Sequence, residues 1–155
     1  MKKAAADENG SLFAFCLAFA VTGAACAESE IARDFYTAAY TSPYTLDLIR
    51  KNGAIKAQAV FFEYCRDFSD RDWDAAQALA SGIEYGTAMT SEKSDDLYYM
   101  MERALDTLLS IYRVPKEPRE QCIQQVLATD YRALGKRILL EFHEYIDKVN
   151  TVTEI

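Results

Sequence analysis

Histidine is nearly absent from this 155-residue chain, and so are the sequence patterns that identify common enzymes. His143 is the only histidine, whereas a zinc site needs three or four ligands from histidine, cysteine or carboxylate side chains. The glycine-rich signatures G-x-G-x-x-G and G-x-x-x-x-G-K do not occur, which excludes the usual phosphate-binding loops. No G-x-S-x-G or other nucleophile signature occurs either. The sequence therefore predicts no catalytic residue, no metal and no cofactor, and it does not favour an enzyme.

Basic residues are outnumbered, since 17 lysines and arginines oppose 24 aspartates and glutamates for a formal charge of -7. Proteins that bind nucleic acid or anionic lipid need clustered lysine and arginine, so neither is expected as a partner. Half of the residues are apolar and 26% are charged, which is an ordinary globular composition. A length of 155 residues predicts one domain.

The N-terminus has the three parts of a secretory signal peptide. Two lysines at 2–3 form a basic start, the uncharged stretch LFAFCLAFAV at 12–21 forms the apolar part, and ACA at 25–27 offers the small residues that a signal peptidase reads. Cleavage after position 27 is predicted, which makes residues 1–27 a signal peptide and residues 28–155 a single helical domain. The protein is then expected in the periplasm or secreted.

Three other interpretations of this segment stay open. Gly23-Ala24-Ala25-Cys26 is a degraded lipobox, so Cys26 could become a lipidated N-terminus. The uncharged run at 11–27 is at the lower edge of a membrane span and could be an uncleaved anchor. These two would provide the only expected contact with a membrane. The third is a buried N-terminal helix in a cytosolic protein.

Two cysteines remain beyond position 27, Cys65 and Cys122. An even number of cysteines in an exported protein predicts a disulfide between them. It would close a loop of about 57 residues and contribute roughly 4 kcal/mol on the chain-entropy model. The alternative is two free buried thiols, and the lack of a C-x-x-C pair argues against a redox role.

Apolar residues recur at helical spacing along the whole chain, and no strand pattern or internal repeat appears. Short connections between the segments favour antiparallel neighbours. The predicted fold class is all-α, a small antiparallel helical bundle of four main helices plus a short N-terminal helix, with one disulfide. We expect helices at 28–40, 54–68, 70–89, 95–113 and 118–149, and a short turn at 45–52 that Gly53 ends.

The clearest periodicity lies in the fourth of these helices, where large apolar residues are spaced by four, four, three and four. The last helix carries a stripe sustained over about 30 residues, with a bend expected at Gly135. Ser69 is predicted to cap the helix at 70–89. The members of the first stripe are Leu97, Met101, Leu105, Leu108 and Tyr112.

Aspartates at 70, 72 and 74 resemble the start of a calcium-binding EF-hand loop. The pattern then fails, because Ala75 stands at the glycine position and Ser81 at the closing glutamate position. Helix capping accounts for the aspartates without a metal.

Aromatic residues are numerous, with ten tyrosines and eight phenylalanines. Tyrosine and methionine are favoured at interfaces, where an apolar body and a polar tip are both useful. A helix that carries Tyr98-Tyr99-Met100-Met101 cannot bury all four side chains on one face. The predicted partner-binding residues are Tyr85, Met89, Tyr98 and Tyr99.

The composition, charge and aromatic content favour an exported, periplasmic helical protein that binds another protein, of immunity, inhibitor or chaperone type. Its acidic charge would steer a basic partner. One alternative is a carrier of a small apolar ligand, held between helices near Trp73 and the stripe at 97–112. A second is a hydrolase that uses His143, which requires a serine or cysteine close to it in space.

Overall fold

The computed structural model describes residues 2–89 and 94–153, and within these ranges the chain forms helices and no strand. The predicted all-α class is therefore confirmed, although the helices are more numerous and differently bounded than predicted. The described residues form α1 (Lys2–Glu28), α2 (Glu30–Thr41), α3 (Pro43–Phe61), α4 (Asp70–Met89), α5 (Ser94–Ile111), α6 (Lys116–Ala128) and α7 (Tyr131–Thr153).

Two helix starts follow directly from local sequence. The hydroxyl of Ser29 accepts a hydrogen bond from the Ala32 N–H at 3.2 Å and so caps α2. At α4 the Ser69 hydroxyl accepts from the Asp72 N–H at 3.3 Å, while the Ser69 N–H donates to the Asp72 carboxylate at 2.8 Å. The Ser69 hydroxyl also donates to the Asp72 carboxylate at 2.6 Å, and this hydrogen bond, followed by that from the Ser69 N–H, lowers the pKa of the Asp72 carboxyl. The predicted Ser69 cap is confirmed.

Gly53 does not end a turn, as predicted, but lies inside α3, which continues to Phe61. A Cβ atom at Gly53 would collide with the side-chain amide of Gln77 on α4, so the glycine allows these two helices to cross closely. The helix predicted at 54–68 is wrong at both ends, because α3 begins at Pro43 and ends at Phe61. Cys65 lies in the turn after α3 rather than on a helical stripe with Phe61.

The single last helix predicted at 118–149 is also wrong, because the chain is interrupted between α6 and α7. Thr129 is extended, with φ -87° and ψ 139°, and the Asp130 carboxylate accepts a hydrogen bond from the Ala133 N–H at 3.0 Å. Asp130 therefore acts as the N-cap of α7, and because an N-cap residue is not helical, α6 ends before it. Gly135, where a bend was expected, instead permits close packing, because a Cβ there would lie 3.1 Å from the Ala25 backbone nitrogen of α1.

The apolar N-terminal segment is the central helix of the described fold. α1 packs against each of the other six helices. Its segment Gly10–Glu28 is long and apolar enough to span a membrane, with 33% of it buried, and signal sequences and core helices share this property. Its removal on export stays a prediction. The residues that α1 gives to the core are Leu12, Cys16, Phe19, Ala20 and Ala24.

The predicted stripe at 97–112 is buried as expected, with every member at most 1% exposed. Around Tyr112 the core is aromatic, since its ring stacks on Phe61 at 4.2 Å and lies 6.2 Å from that of Trp73. The Tyr112 hydroxyl donates to the Gln77 side-chain oxygen at 3.2 Å. This hydrogen bond provides a partner for a phenol whose burial raises its pKa.

The predicted disulfide between Cys65 and Cys122 is wrong, because all four cysteines are free and buried. The Cys65 thiol donates to the Tyr112 carbonyl oxygen at 3.1 Å. Cys122 instead faces Cys16, and their hydrogen bond, together with burial, raises the pKa of the Cys16 thiol. The prediction assumed that residues 1–27 are removed and therefore paired Cys65 with Cys122. In the structure α1 is part of the fold and places Cys16 beside Cys122.

The core position of α1 can be tested in the full chain made without export. We expect Leu12→Ala to lower the free energy of unfolding by about 2–5 kcal/mol, because Leu12 is 3% exposed and its truncation leaves a cavity. Urea unfolding followed by far-UV circular dichroism measures this change. Leu140→Ala is the control, since Leu140 is 64% exposed and its truncation should change stability by less than about 0.5 kcal/mol. Equal effects would contradict the packing of α1.

The state of the cysteines is tested by thiol titration without a reductant. In denaturant, Ellman's reagent should modify four thiols in each chain, because all four are free in the fold. The native protein should react slowly, since its thiols are buried. The full chain made without export is used, so that all four cysteines are present. A count of two, with the bridge mapped to Cys65 and Cys122 by mass spectrometry of peptides, would restore the predicted disulfide and contradict the structure.

Candidate functional site

An apolar groove runs between the C-terminal half of α1, α2 and the middle of α7, with a volume of about 550 Å³. A groove of this size falls within the range of ligand and peptide sites. Its lining is almost entirely apolar. The lining residues are Val21, Thr22, Ala25 and Cys26 of α1, Ser29, Ile31, Ala32, Phe35 and Tyr36, and Ile138, Leu139, Phe142 and His143 of α7.

Ion pairs and a helix cap hold the three walls of the groove in place. The Glu28 carboxylate at the end of α1 pairs with Arg132 at 2.9 Å and with Lys136 at 3.9 Å, which ties α1 to α7. Arg33 of α2 donates to the Cys26 carbonyl oxygen at 2.8 Å and to the Ala27 carbonyl oxygen at 3.2 Å. A guanidinium at the C-terminal carbonyls of a helix is favourable, so Arg33 fixes α2 against α1.

Large apolar side chains around the groove stay open to water. Ile31 and Phe35 on α2 are 65% and 71% exposed, and Ile138 and Phe142 on α7 are 53% and 54% exposed. Single exposed apolar residues are ordinary, but a contiguous row around a concave surface marks an interaction site. We call Ile31, Phe35, Ile138, Phe142, Tyr145 and Val149 the apolar strip.

The apolar strip continues along α7 beyond the groove. Every residue from Leu140 to Thr151 is exposed, so this half of α7 extends past the packed helices. Tyr145 and Val149 follow Phe142 at spacings of three and four, on the same face of the helix. The sequence predicted this stripe, but helical spacing alone did not show that its C-terminal half is exposed.

The groove brings His143 near Cys26 and Ser29, yet it does not assemble a nucleophile. Burial raises the pKa of the Cys26 thiol to about 11, so the thiol is protonated at neutral pH. The Ser29 hydroxyl is engaged as the cap of α2. Among the described residues, no hydrogen bond joins His143 to either side chain, and His143 is exposed. The arrangement therefore does not favour hydrolysis.

A second, smaller cavity of about 230 Å³ lies on the other side of Tyr36 and Thr22, which line both cavities. Glu84 of α4 faces it, and the Tyr40 hydroxyl donates to the Glu84 carboxylate at 2.6 Å. Tyr40 stacks between Tyr36 at 5.7 Å and Tyr85 at 5.6 Å. Sequence reasoning missed this cluster, although the spacing of four between positions 36 and 40 was visible.

Glu84 is half-buried, which makes it an unusual carboxylate. Desolvation raises its pKa, against the opposing effects of the Tyr40 hydrogen bond and the Lys56 charge. The carboxylate in turn contributes to the raised pKa values of Tyr40 and Tyr112. The described residues offer Glu84 no cation within ion-pair distance, so its charged form is poorly compensated.

The four predicted partner-binding residues lie outside the groove. Tyr99 is 64% exposed beneath the Arg103 guanidinium, and Tyr98 is 44% exposed with its ring 5.5 Å from that of Tyr131. Tyr85 is half-buried against Tyr40. Met89 is half-buried, and its sulfur accepts a hydrogen bond from the Thr37 hydroxyl at 3.3 Å. Their role in binding a partner stays a prediction.

Comparisons with known proteins do not identify the chain. No family model, no curated protein and no solved structure matches it. Within the described residues, no group of three or more histidine, cysteine, aspartate or glutamate side chains could hold a metal ion. The site must therefore be interpreted from its own geometry.

The raised pKa of Glu84 predicts a specific pH dependence. An acid whose pKa rises on folding binds more protons in the native state, so its contribution to stability falls as pH rises above the unfolded value, about 4.3. We expect Glu84→Gln to be increasingly stabilising relative to wild type from about pH 4 upward. Urea unfolding at a series of pH values measures the difference.

Glu102→Gln on α5 is the matched control, because Glu102 is exposed. The difference between this variant and wild type should stay nearly constant over the same pH range. If Glu84→Gln shows the same flat profile, the proposed burial of the Glu84 carboxylate is contradicted.

Proposed function

We propose that this protein works by binding another protein, whose apolar helix covers the apolar strip along the groove and α7. The observation that carries the proposal is the exposure of the strip, from 44% at Val149 to 71% at Phe35. Burial of such side chains contributes roughly 1.5–3 kcal/mol each, which is ample for a specific interface. A role of immunity, inhibitor or chaperone type is compatible with such a surface.

The shape of the strip favours a helix over a compact ligand. From Ile138 to Val149 it extends for about 16 Å along α7, at 1.5 Å per residue. Spacings of four, three and four are those of a helix that receives another helix along its length. A small molecule in the groove would leave Tyr145 and Val149 uncovered.

A carrier of a small apolar ligand remains the second candidate, and the 550 Å³ groove is the observation that favours it. The sequence predicted the ligand site near Trp73, which is not where the groove lies. Trp73 is 7% exposed and packs in the core against Phe68 and Tyr112. A ligand in the groove would instead contact Phe35 and Phe142.

Location and charge enter as further parts of the proposal. The apolar N-terminal segment fits a signal sequence and supports a periplasmic or secreted location. Cleavage after position 27 would remove the α1 wall of the groove, so the proposed binding surface belongs to the chain that keeps α1. A basic partner is supported by the formal charge of -7, through long-range steering. The charges of α7 are nearly balanced, so steering would come from the rest of the surface rather than from the strip.

Photo-crosslinking in the cells that naturally make the protein tests the proposal. With benzoylphenylalanine at position 142, we expect adducts with a polypeptide, because the partner helix would lie directly on the strip. Position 62 is the matched control, since Phe62 and Phe142 are 55% and 54% exposed. Mass spectrometry of the adducts identifies what is bound.

Protein adducts from position 142 and none from position 62 would support the proposal. Adducts that carry only a small apolar molecule would favour the carrier instead. The lack of any adduct specific to position 142 would contradict both candidates.

A further inference from the structure

The outer half of α7 is the exposed continuation of a 23-residue helix whose first turns pack on α1. All twelve residues from Leu140 to Thr151 are exposed. Helical segments of about 12–15 residues are only marginally stable in water, and most helices in proteins depend on packing of an apolar face. This part of α7 would therefore gain stability if another helix packed on its apolar face, which carries the side chains of the apolar strip.

The strip on α7 has the spacing of a coiled-coil seam. Ile138, Phe142, Tyr145 and Val149 are separated by four, three and four residues, which is the alternation of the two core positions in a heptad. Their exposed fractions are 53%, 54%, 63% and 44%. The seam is therefore continuous over three helical turns, and each of its four side chains leaves at least 44% of its surface exposed in the described fold.

We propose that a second copy of this chain covers the strip, with the two α7 helices antiparallel about a two-fold axis. This inference rests on the proposed role of the strip in binding a protein, and it takes a second copy of the chain as the partner in place of the basic protein that long-range steering would favour. Such an isologous contact would place Phe142 against Tyr145 of the partner subunit, and Ile138 against Val149 of the partner subunit. Four apolar layers then repeat symmetrically across the axis.

Charge complementarity selects both the partner and the direction. Glu141 and Lys148 are seven residues apart, so they lie on the same edge of the seam, two turns from one another. Within the chain Glu141 already pairs with Arg137 at 3.2 Å, but both side chains are largely exposed, so this contact is weak and a lysine of the partner subunit can add to it. In an antiparallel two-fold pair, this edge of one helix lies beside the same edge of the other helix. Glu141 then faces Lys148 of the partner subunit, and the two-fold axis repeats this contact a second time. In a parallel pair this edge would meet the opposite one, which carries Leu139 and Ile146 and offers no charge.

The local charge of α7 also removes an obstacle to self-association. Two chains with a formal charge of -7 repel each other if their acidic surfaces meet. α7 is the exception, because its basic residues slightly outnumber its acidic ones. The basic residues are Arg132, Lys136, Arg137 and Lys148, and the acidic residues are Glu141, Glu144 and Asp147.

Sedimentation velocity over a concentration series, with the full chain, tests the inference. We expect wild type to reach twice the 17.5 kDa chain mass and Phe142→Asp to remain monomeric. Lys148→Glu or Glu141→Lys alone should raise the dissociation constant about tenfold, because two attractive pairs become repulsive. The double charge exchange should restore the wild-type value.

Controls separate the interface from folding. Glu144→Lys reverses a charge on the far face of α7 and should leave dimerisation unchanged. Circular dichroism confirms that each variant is folded, and Tyr145→Asp replaces Phe142→Asp if the latter is not. A monomer at every concentration, or a dimer that survives both aspartate variants, would overturn the inference.

The two proposals fail in different ways. A monomeric chain whose position 142 crosslinks to a different protein would overturn the dimer and leave the proposed function standing. A monomeric chain without protein adducts at position 142 would overturn both. Adducts between two copies of the chain would support both.

Discussion

The packing of α1 against the other six helices is the constraint on which the described fold depends. Its apolar residues face the core on several sides, and its backbone approaches α7 so closely at Gly135 that a side chain there would be crowded against Ala25. This crossing sets the direction of α7 and forms two walls of the groove. The packing of α1 against α6 also brings Cys16 to Cys122, whereas the Cys65 thiol donates to a backbone carbonyl oxygen.

α7 has two parts with different environments. Its first turns are fixed on α1 by Gly135 and by the pairing of Arg132 and Lys136 with Glu28, whereas its outer half has an apolar seam exposed to water. Exposed apolar surface of this kind is a feature of association surfaces, and this is the role that we propose for the seam. The rigid first half places this surface beside the groove, where Ile31 and Phe35 extend it.

Local sequence predicted those features that local physics controls. The stripe from Leu97 to Tyr112 is buried because its spacing places all five side chains on one helical face, and Ser69 begins α4 because its side chain satisfies a free N–H group. Gly53 was misjudged because a glycine that ends a helix and one that allows a close crossing look alike in a sequence. Asp130 was missed because apolar residues continue in helical phase on both sides of the break.

The sequence by itself determined the all-α class, the acidic charge and the apolar periodicity, since each depends on composition or on neighbours along the chain. Only the tertiary structure decided which surfaces meet. Helical spacing shows that a side chain belongs to an apolar face, but a core, a groove and an open seam require the same spacing. The contact of Cys16 with Cys122, the partial burial of Glu84 and the exposure of Phe142 are therefore consequences of how the helices cross, which no local pattern records.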